Sequence, residues 1–254
     1  MKKLVLMCLA IALLAGSVGA ADMTLDELLA AHYEALGGMD NLKAVKTAKF
    51  TGNMAMGPGM EVPFSMVFAR PLKMRLEFTM QGMTAIQAYD GEIAWSVMPF
   101  MGKTEPEVMA DDQAKNIKEQ ADFDGPLMDW KEKGNQVELI GLEETDGTEA
   151  YKLKVTMANG DVRHHYLDSE YFITIKQDGK TTVQGNEVEF ETILSDYKEV
   201  GGLMFPHSIE SKPKGAPAGQ VITIELVEVD VEVDDDAFAM PERAEEEAAT
   251  GTDG

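Results

Sequence analysis

Residues 64–98 read FSMVFARPLKMRLEFTMQGMTAIQAYDGEIAWSVM, and this stretch decides which fold we expect. Apolar residues alternate with more polar ones through most of it, which is the two-residue period of a β-strand with one apolar face. The pairs Arg70-Pro71, Gln81-Gly82 and Asp90-Gly91 interrupt the alternation with residues that favour tight turns. The stretch therefore predicts consecutive antiparallel strands joined by short connections.

The same period returns in the second half of the chain. Alternating segments run from Gln136 to Val233, and Asn159-Gly160 and Asp178-Gly179 mark hairpin turns between some of them. Ten or more sequential antiparallel strands curve into an open or partly closed barrel. We therefore predict a mainly antiparallel β fold with helices, namely a strongly curved, incompletely closed β-barrel of about 10 to 11 strands lidded by α-helices.

Two segments predict the helices. Thr24-Leu25-Asp26-Glu27 is a capping-box pattern that opens a helix, and Gly37-Gly38 ends it. A second short helical turn is expected from Asp40 to Val45. The run Lys103 to Lys133 breaks the strand pattern and is expected to form helix and loop, with the helix from Glu107 to Gln120.

The ends of the chain differ from the rest. Residues 1–20 have a basic start, an apolar run from Leu4 to Ala15 and small residues up to Ala20, the features of a secretory signal peptide cleaved after Ala20. Cys8, the single cysteine, lies inside that run, so we expect no lipid anchor. We assign residues 21–241 to one domain and residues 242–254 to an acidic disordered tail. The expected location is the periplasm, without a stable membrane anchor.

Composition and motifs exclude several classes of protein. With 22 Lys+Arg against 45 Asp+Glu, the chain lacks the basic clusters that nucleic acids require. A net charge of −23 also opposes steady attachment to an anionic membrane. His164 and His165 are adjacent and would point to opposite faces of a strand, so no metal site is expected. Because no nucleophile motif or phosphate-binding loop is present, we expect neither a cofactor nor an enzyme.

Methionine is the unusual component. Of 18 methionines, those at 54, 56, 60, 66, 74, 80, 83, 98 and 101 fall in one window of predicted strands. Methionine is flexible and recurs on surfaces that must fit variable apolar partners, so one hypothesis is that this face lines a lipid cavity. The alternative is that these residues form ordinary core under the helices. The candidate lipid-binding residues are Phe64, Met66, Phe68, Met74, Leu76, Phe78, Met80, Trp95, Met98, Phe100, Leu127, Met128 and Trp130.

Two blocks of sequence resemble a known superfamily. Phe68 to Glu77 (FARPLKMRLE), followed by Tyr89 to Trp95 (YDGEIAW) and Pro99, resembles the LolA-type periplasmic lipoprotein carriers, whose superfamily includes LolB, RseB and LppX. Gly201 to Glu210 (GGLMFPHSIE) and Asp235 to Pro241 (DDAFAMP) resemble outer-membrane lipoprotein-sorting proteins. The resemblance implies an unclosed barrel with helices over an apolar cavity for acyl chains. It also implies that Arg70 bonds to the lid and couples its opening to transfer of the cargo.

Two functions remain open at this stage. In the first, the protein is a carrier that binds acyl chains of lipoproteins or other lipids and moves them across the periplasm, from an inner-membrane donor toward an outer-membrane acceptor. In the second, it is an RseB-like envelope sensor that binds a protein partner. Acyl-containing material on the purified protein would favour the first, and a stable protein partner would favour the second.

Overall fold

The computed structural model describes residues 23–57, 59–183 and 186–242. The predicted signal peptide and the part of the predicted tail beyond Glu242 lie outside these residues. Within them, 13 antiparallel strands form a single sheet, and α-helices cover part of one face.

The first helix, α1, spans Leu25–Ala35 and begins at the predicted capping box. The Thr24 side chain accepts a hydrogen bond from the Glu27 backbone, and Glu27 accepts one from the Thr24 backbone in return. The second helix, α2, spans Met39–Ala44. Between them, Gly37 has φ +114°, and a Cβ there would lie 2.1 Å from the Gly202 carbonyl oxygen. Only glycine therefore lets the turn between the two helices rest on the sheet.

The strands and the third helix follow in chain order. Their bounds are β1 Thr47–Gly57, β2 Met60–Ala69, β3 Lys73–Met80, β4 Met83–Tyr89, β5 Ala94–Met98, β6 Lys103–Val108, α3 Asp111–Gln120, β7 Gln136–Thr145, β8 Thr148–Thr156, β9 Val162–Asp168, β10 Thr174–Val183, β11 Asn186–Val200, β12 Leu203–Pro213 and β13 Gln220–Val229. The spatial order is β6-β5-β4-β3-β2-β1-β13-β12-β11-β10-β9-β8-β7.

The pairing of β1 with β13 joins the two halves of the sheet. Phe50 lies opposite Val227, and the register shifts between Thr51 and Gly52 so that Gly52 lies opposite Ile224. A Cβ at Gly52 would lie 1.9 Å from the Thr223 carbonyl oxygen, so the close approach of the two strands requires glycine. As a result, β6 and β7 are the two free edges of the sheet.

The segment between the free edges shows how strongly the sheet curves. We call residues 109–135, which contain α3 and the loop after it, the lid. Ala114 and Ile117 of α3 are buried in one core with Tyr89 of β4, while Glu119 forms an ion pair with Arg163 of β9. A helix of 10 residues is only about 15 Å long. Because it contacts strands near both free edges, those edges lie close together and the sheet is an incompletely closed barrel.

The concave face carries two apolar cores. One lies under α3 and is built mainly from β1 to β5, β12 and β13. The other lies under α1, where Leu28 and Leu29 pack on Leu153 and Val155 of β8 and Leu167 of β9. The space between the two cores is where the candidate site is found.

The predicted fold class is confirmed, with two corrections. The sheet has more strands than the expected 10 to 11, and Lys103–Val108 is a strand rather than helix or loop. The alternation of apolar and polar residues does not reveal this strand, because it is an exposed edge strand that carries charged residues. Accordingly, α3 begins at Asp111 instead of Glu107. None of the helices within the described residues combines the length and the apolar character that crossing a bilayer requires.

Candidate ligand cavity

A cavity of about 400 Å³ lies between the concave face of the sheet, helices α1 and α2, and the lid. Its sheet wall comes from strands that are far apart in sequence but adjacent in the barrel. The apolar side chains of this wall are Phe50, Phe64, Met66, Phe68, Leu194, Phe205, Ile209, Ile222 and Ile224. Leu36, Leu42, Phe123, Leu127 and Met128 close the cavity from the helices and the lid.

Aromatic rings organise the part of the wall nearest the lid. The Phe50 ring meets Phe68 and Phe205 edge-on, with centroids 5.7 and 5.6 Å apart. Phe68 in turn contacts Phe123 of the lid at 5.7 Å. Tilted and edge-to-face contacts at these distances are favourable for aromatic pairs. The lid is therefore held by apolar contact with the same rings that line the cavity.

Two partly buried phenols at the cavity wall donate hydrogen bonds to the backbone. Tyr33 donates to the Leu127 carbonyl at 2.7 Å, and Tyr197 donates to the Thr174 carbonyl at 2.6 Å. Burial, aided by Asp129, raises the pKa of Tyr33 to about 12, and burial also raises the pKa of Tyr197. Both phenols stay protonated at neutral pH and serve to position α1, the lid and β11.

The histidines near the cavity are neutral. His32 lines it and donates from Nδ1 to the Phe172 carbonyl at 2.7 Å. Burial lowers the pKa of His32, and burial with the nearby His32 lowers the pKa of His165 to about 3. Gln177, opposite His165 on β10, adds a neutral amide to the wall. The histidines and this amide contribute no charge, which suits an apolar ligand.

Arg70 ties the lid to the rest of the barrel. It follows β2, and its guanidinium donates from Nε to the Val45 carbonyl at 2.6 Å and from Nη2 to the Leu42 carbonyl at 2.8 Å. Nη1 forms an ion pair with Asp124 of the lid, and the guanidinium carbon lies 5.5 Å from the centre of the Phe123 ring. One side chain thus joins the sheet, the end of α2 and the lid, in a planar geometry that lysine lacks.

A second ion pair stiffens the lid internally. Lys133 Nζ donates to both oxygens of Asp122, at 2.7 and 2.6 Å, and to the Gly125 carbonyl at 2.7 Å. Burial raises the pKa of Asp122, and the hydrogen bond from Lys133 opposes that rise. The acidic side chains at the lid side of the cavity, Asp122 and Asp124, are therefore both paired with cations.

The sequence-predicted residues divide into groups. Phe64, Met66, Phe68, Leu127 and Met128 line the cavity. Met74 and Leu76 lie on the same face of the sheet but are buried in the core under α3, so for them the ordinary-core alternative describes the packing. Phe78, Met80, Met98 and Phe100 also lie outside the cavity lining, toward the end of the sheet with the β3–β4 and β5–β6 connections. Trp130 lies outside it as well and packs against the core under α1.

Trp95 lies on the convex face of the sheet, opposite the cavity. The prediction that it lines the cavity is therefore wrong. It is paired with Ala88, which is paired with Arg75, and these residues alternate with those of the concave face. The indole is 0% exposed and donates from Nε1 to the Phe238 carbonyl at 2.9 Å. The C-terminal segment covers it there. Trp95 therefore anchors the chain after β13 rather than touching the cavity.

The sequence patterns did not predict several residues of the cavity. Phe50, Leu194, Ile222 and Ile224 belong to β1, β11 and β13, outside most of the methionine-rich window. Their alternation marks an apolar face, but only the pairing of β1 with β13 brings them beside β2. Phe123 adjoins Asp122 and Asp124, and its apolar role depends on the folded lid.

The fold was compared with known proteins. No protein-family model and no curated protein matches the chain. Solved structures do match: a LolA superfamily protein from Nitrosomonas europaea has a TM-score of 0.57 at 14% identity, covering 85% of this chain and 98% of that one. A DUF1329 family protein from Desulfovibrio piger has a TM-score of 0.57 at 13% identity, covering 82% and 96%. A candidate outer membrane lipoprotein-sorting protein domain from Vibrio parahaemolyticus has a TM-score of 0.57 at 10% identity, covering 83% and 95%.

These matches and the geometry define a class of fold. The chain is an antiparallel, incompletely closed barrel with a helical lid over an apolar cavity. That architecture is the LolA-like fold, which the two sequence blocks predicted.

Proposed function

We propose that this protein is a periplasmic carrier that holds an acyl chain of a lipid or lipoprotein in the cavity under the lid. The observation that carries the proposal is the cavity itself, about 400 Å³ with an almost wholly apolar sheet wall. This volume lies within the range of small-molecule pockets in proteins. An uncompensated charge in the cavity would disfavour a hydrocarbon ligand. The neutral histidines and the paired carboxylates leave the interior without such a charge.

The size of the cavity indicates how much of a lipid it holds. If each methylene takes about the volume of a water molecule in the liquid, roughly 30 Å³, the space holds about 13 chain carbons. Burying that many methylenes at about 0.8 kcal/mol each is worth on the order of 10 kcal/mol. One acyl chain therefore fits, and the rest of the cargo stays at the opening.

Arg70 supplies a means of opening. Its contacts with α2 and Asp124 are made by one partly buried side chain and are not part of the strand pairing, so they can break without disrupting the strands. A donor at the inner membrane and an acceptor at the outer membrane would exchange the cargo while these contacts are open. The carrier itself needs no catalytic residue for that exchange.

The proposal is tested by filling the cavity. Ile222→Trp introduces a large ring into the wall, and Leu226→Trp places the same ring on the same strand where the side chain is 51% exposed. A fluorescent fatty acid should bind the wild type and Leu226→Trp equally and Ile222→Trp at least tenfold more weakly. Urea unfolding monitored by circular dichroism verifies that both variants fold. Native mass spectrometry of protein purified gently from the periplasm should show bound acyl-containing material.

The opposite results would reject the proposal. A wild-type protein that is empty as purified and also ignores fluorescent fatty acids is not an acyl-chain carrier. Equal affinity in a folded Ile222→Trp variant would mean that any fatty acid binds elsewhere.

A further inference from the structure

Three segments of the sequence contain no charged residue. They are residues 53–60 (NMAMGPGM), 78–84 (FTMQGMT) and 96–102 (SVMPFMG), in a chain in which 26% of residues are charged. Each contains methionine, and two contain phenylalanine. Such a local absence of charge is not explained by the cavity, because most of these residues lie outside its lining.

The fold brings the three segments together. Gly57 pairs with Met60 where β1 meets β2, and Met80 pairs with Met83 where β3 meets β4. A 3-10 turn at Pro99–Met101 joins β5 to β6. Because β1 to β6 are consecutive neighbours in the sheet, these connections all lie at the same end of the strands. We call the apolar side chains there, Met60, Phe78, Met80, Met83, Met98, Phe100 and Met101, the methionine rim.

The methionine rim is partly open to solvent. Met60 is 47% exposed and Met101 is 67% exposed, while the remaining side chains are partly exposed. The Phe78 and Phe100 rings lie 5.8 Å apart and join the β3–β4 connection to the 3-10 turn. Exposed apolar side chains gathered at one end of a sheet mark an interaction site more often than a scattered apolar residue does.

The other end of the same strands is different. The connection between β2 and β3 carries Arg70, and the connection between β4 and β5 carries Asp90 and Glu92. Exposed apolar side chains occur there too, with Leu72 40% exposed. At this end the charges lie within the connections, whereas at the methionine rim the nearest ones, Glu61 and Lys103, lie on the strands just behind the connections. The two ends therefore serve as an internal comparison.

We propose that the methionine rim docks the protein onto a zwitterionic lipid surface. The absence of charge from the connections themselves selects this occupant, because side chains that enter the lipid interface cannot bring charges with them. Glu61 and Lys103 lie just behind the connections, where a charged end can stay in water. Flexible methionine and phenylalanine side chains at connection tips can enter lipid without a fixed complementary shape. The net charge of −23 repels anionic lipids, so docking favours neutral headgroups.

This docking surface goes beyond the proposed function and does not depend on it, because it lies at the end of the sheet and not in the cavity. It is nevertheless continuous with the cavity wall. Met54 is paired with Val62 of β2 and with Ile222 of β13, and Ile222 lines the cavity. A lipid surface at the methionine rim would therefore meet the barrel at an end connected to the cavity by apolar side chains.

Tryptophan probes test where the lipid touches the protein. Met101→Trp places an indole on the methionine rim, and Leu72→Trp places one at the opposite end. With phosphatidylcholine vesicles, the emission of Met101→Trp should shift to the blue and be quenched by brominated phosphatidylcholine, relative to the wild-type background. Leu72→Trp should show neither change. Equal quenching at both ends, or none at either, overturns the proposal.

Charge variants test the same surface by a second measurement. The wild type should float with phosphatidylcholine vesicles. The fraction of protein that floats should be at least tenfold lower for the double variant Met60→Glu, Met101→Glu. The control, Leu72→Glu with Ile140→Glu, changes exposed residues elsewhere and should float like the wild type. A wild type that does not float overturns docking on lipid. A concentration-dependent dimer of the wild type that the double variant abolishes also overturns it, because the rim would then bind a second copy of the chain. Fatty-acid binding in the cavity should be the same in all these variants, which separates this proposal from the carrier function.

Discussion

Replacing Arg70 by alanine should loosen the lid and the end of α2 far more than it loosens the strands of the barrel. The change removes two hydrogen bonds from a charged donor to the Leu42 and Val45 carbonyls, and the ion pair with Asp124. Hydrogen bonds to charged groups are each worth about 1.5–3 kcal/mol. Only the Asp124 ion pair and the contact with the Phe123 ring join Arg70 to the lid. Since the Arg70 side chain is 23% exposed, we take the lower end of the range for the ion pair, add about 0.5 kcal/mol for the ring contact, and expect the lid to lose about 2 kcal/mol.

That loss has a measurable consequence. About 2 kcal/mol corresponds to a roughly 30-fold larger population of the open lid. Hydrogen exchange followed by mass spectrometry should show amides of residues 121–130 exchanging faster by about that factor, because local opening governs their exchange. Amides in β8 and β9 should exchange at the wild-type rate. A fluorescent fatty acid should also leave the cavity faster.

Two other variants calibrate the result. Asp124→Asn keeps the shape of the side chain and removes only its charge, so it should raise lid exchange by about tenfold or less. Lys43→Ala removes an ion pair with Asp129 in the same lid, where both side chains are well exposed, and should change exchange little. Wild-type exchange in Arg70→Ala, or an equal increase in Lys43→Ala, would refute the assignment of Arg70 as the lid contact.

Three other predictions concern the parts of the barrel that hold the cavity in place. Trp95→Phe leaves the Phe238 carbonyl without its donor and should lower the free energy of unfolding by about 2 kcal/mol in urea titrations. Fatty-acid affinity should not change, and a loss of affinity without instability would contradict its position on the convex face. Gly52→Ala drives a Cβ against the Thr223 carbonyl and should cost about 3 kcal/mol or more, so a wild-type melting temperature would contradict the close pairing of β1 and β13. Because the folded-state pKa of His165 is about 3 and the unfolded pKa is near 6.5, the unfolded chain binds the extra proton between these values, and stability should fall by about 1.4 kcal/mol per pH unit as pH drops below 6.5. His165→Gln should flatten that slope in melting curves between pH 7 and 5, and an unchanged slope would assign it to other groups.

Local patterns could predict the fold but only part of the candidate site. Phe64, Met66 and Phe68 alternate on one strand, so their shared face is readable from the sequence, and all three line the cavity. Trp95 satisfies the same apolar criterion but belongs to the other face, because the C-terminal segment returns to cover it. Alternation tells which residues share a face, and it does not tell which face has a cavity and which has a covering segment.

The sequence by itself determined the strand period, the turns, the capped first helix and the apolar face, because each of these depends on residues that are near one another in the chain. Only the tertiary structure decided that β1 pairs with β13, that Phe50 and Ile224 therefore belong to the same wall as Met66, and that Arg70 meets Asp124. It also gathered the methionines of separate connections into one rim. These contacts join residues tens to nearly two hundred positions apart, and their selection rests on the packing and strand pairing of the whole barrel, which no local pattern specifies.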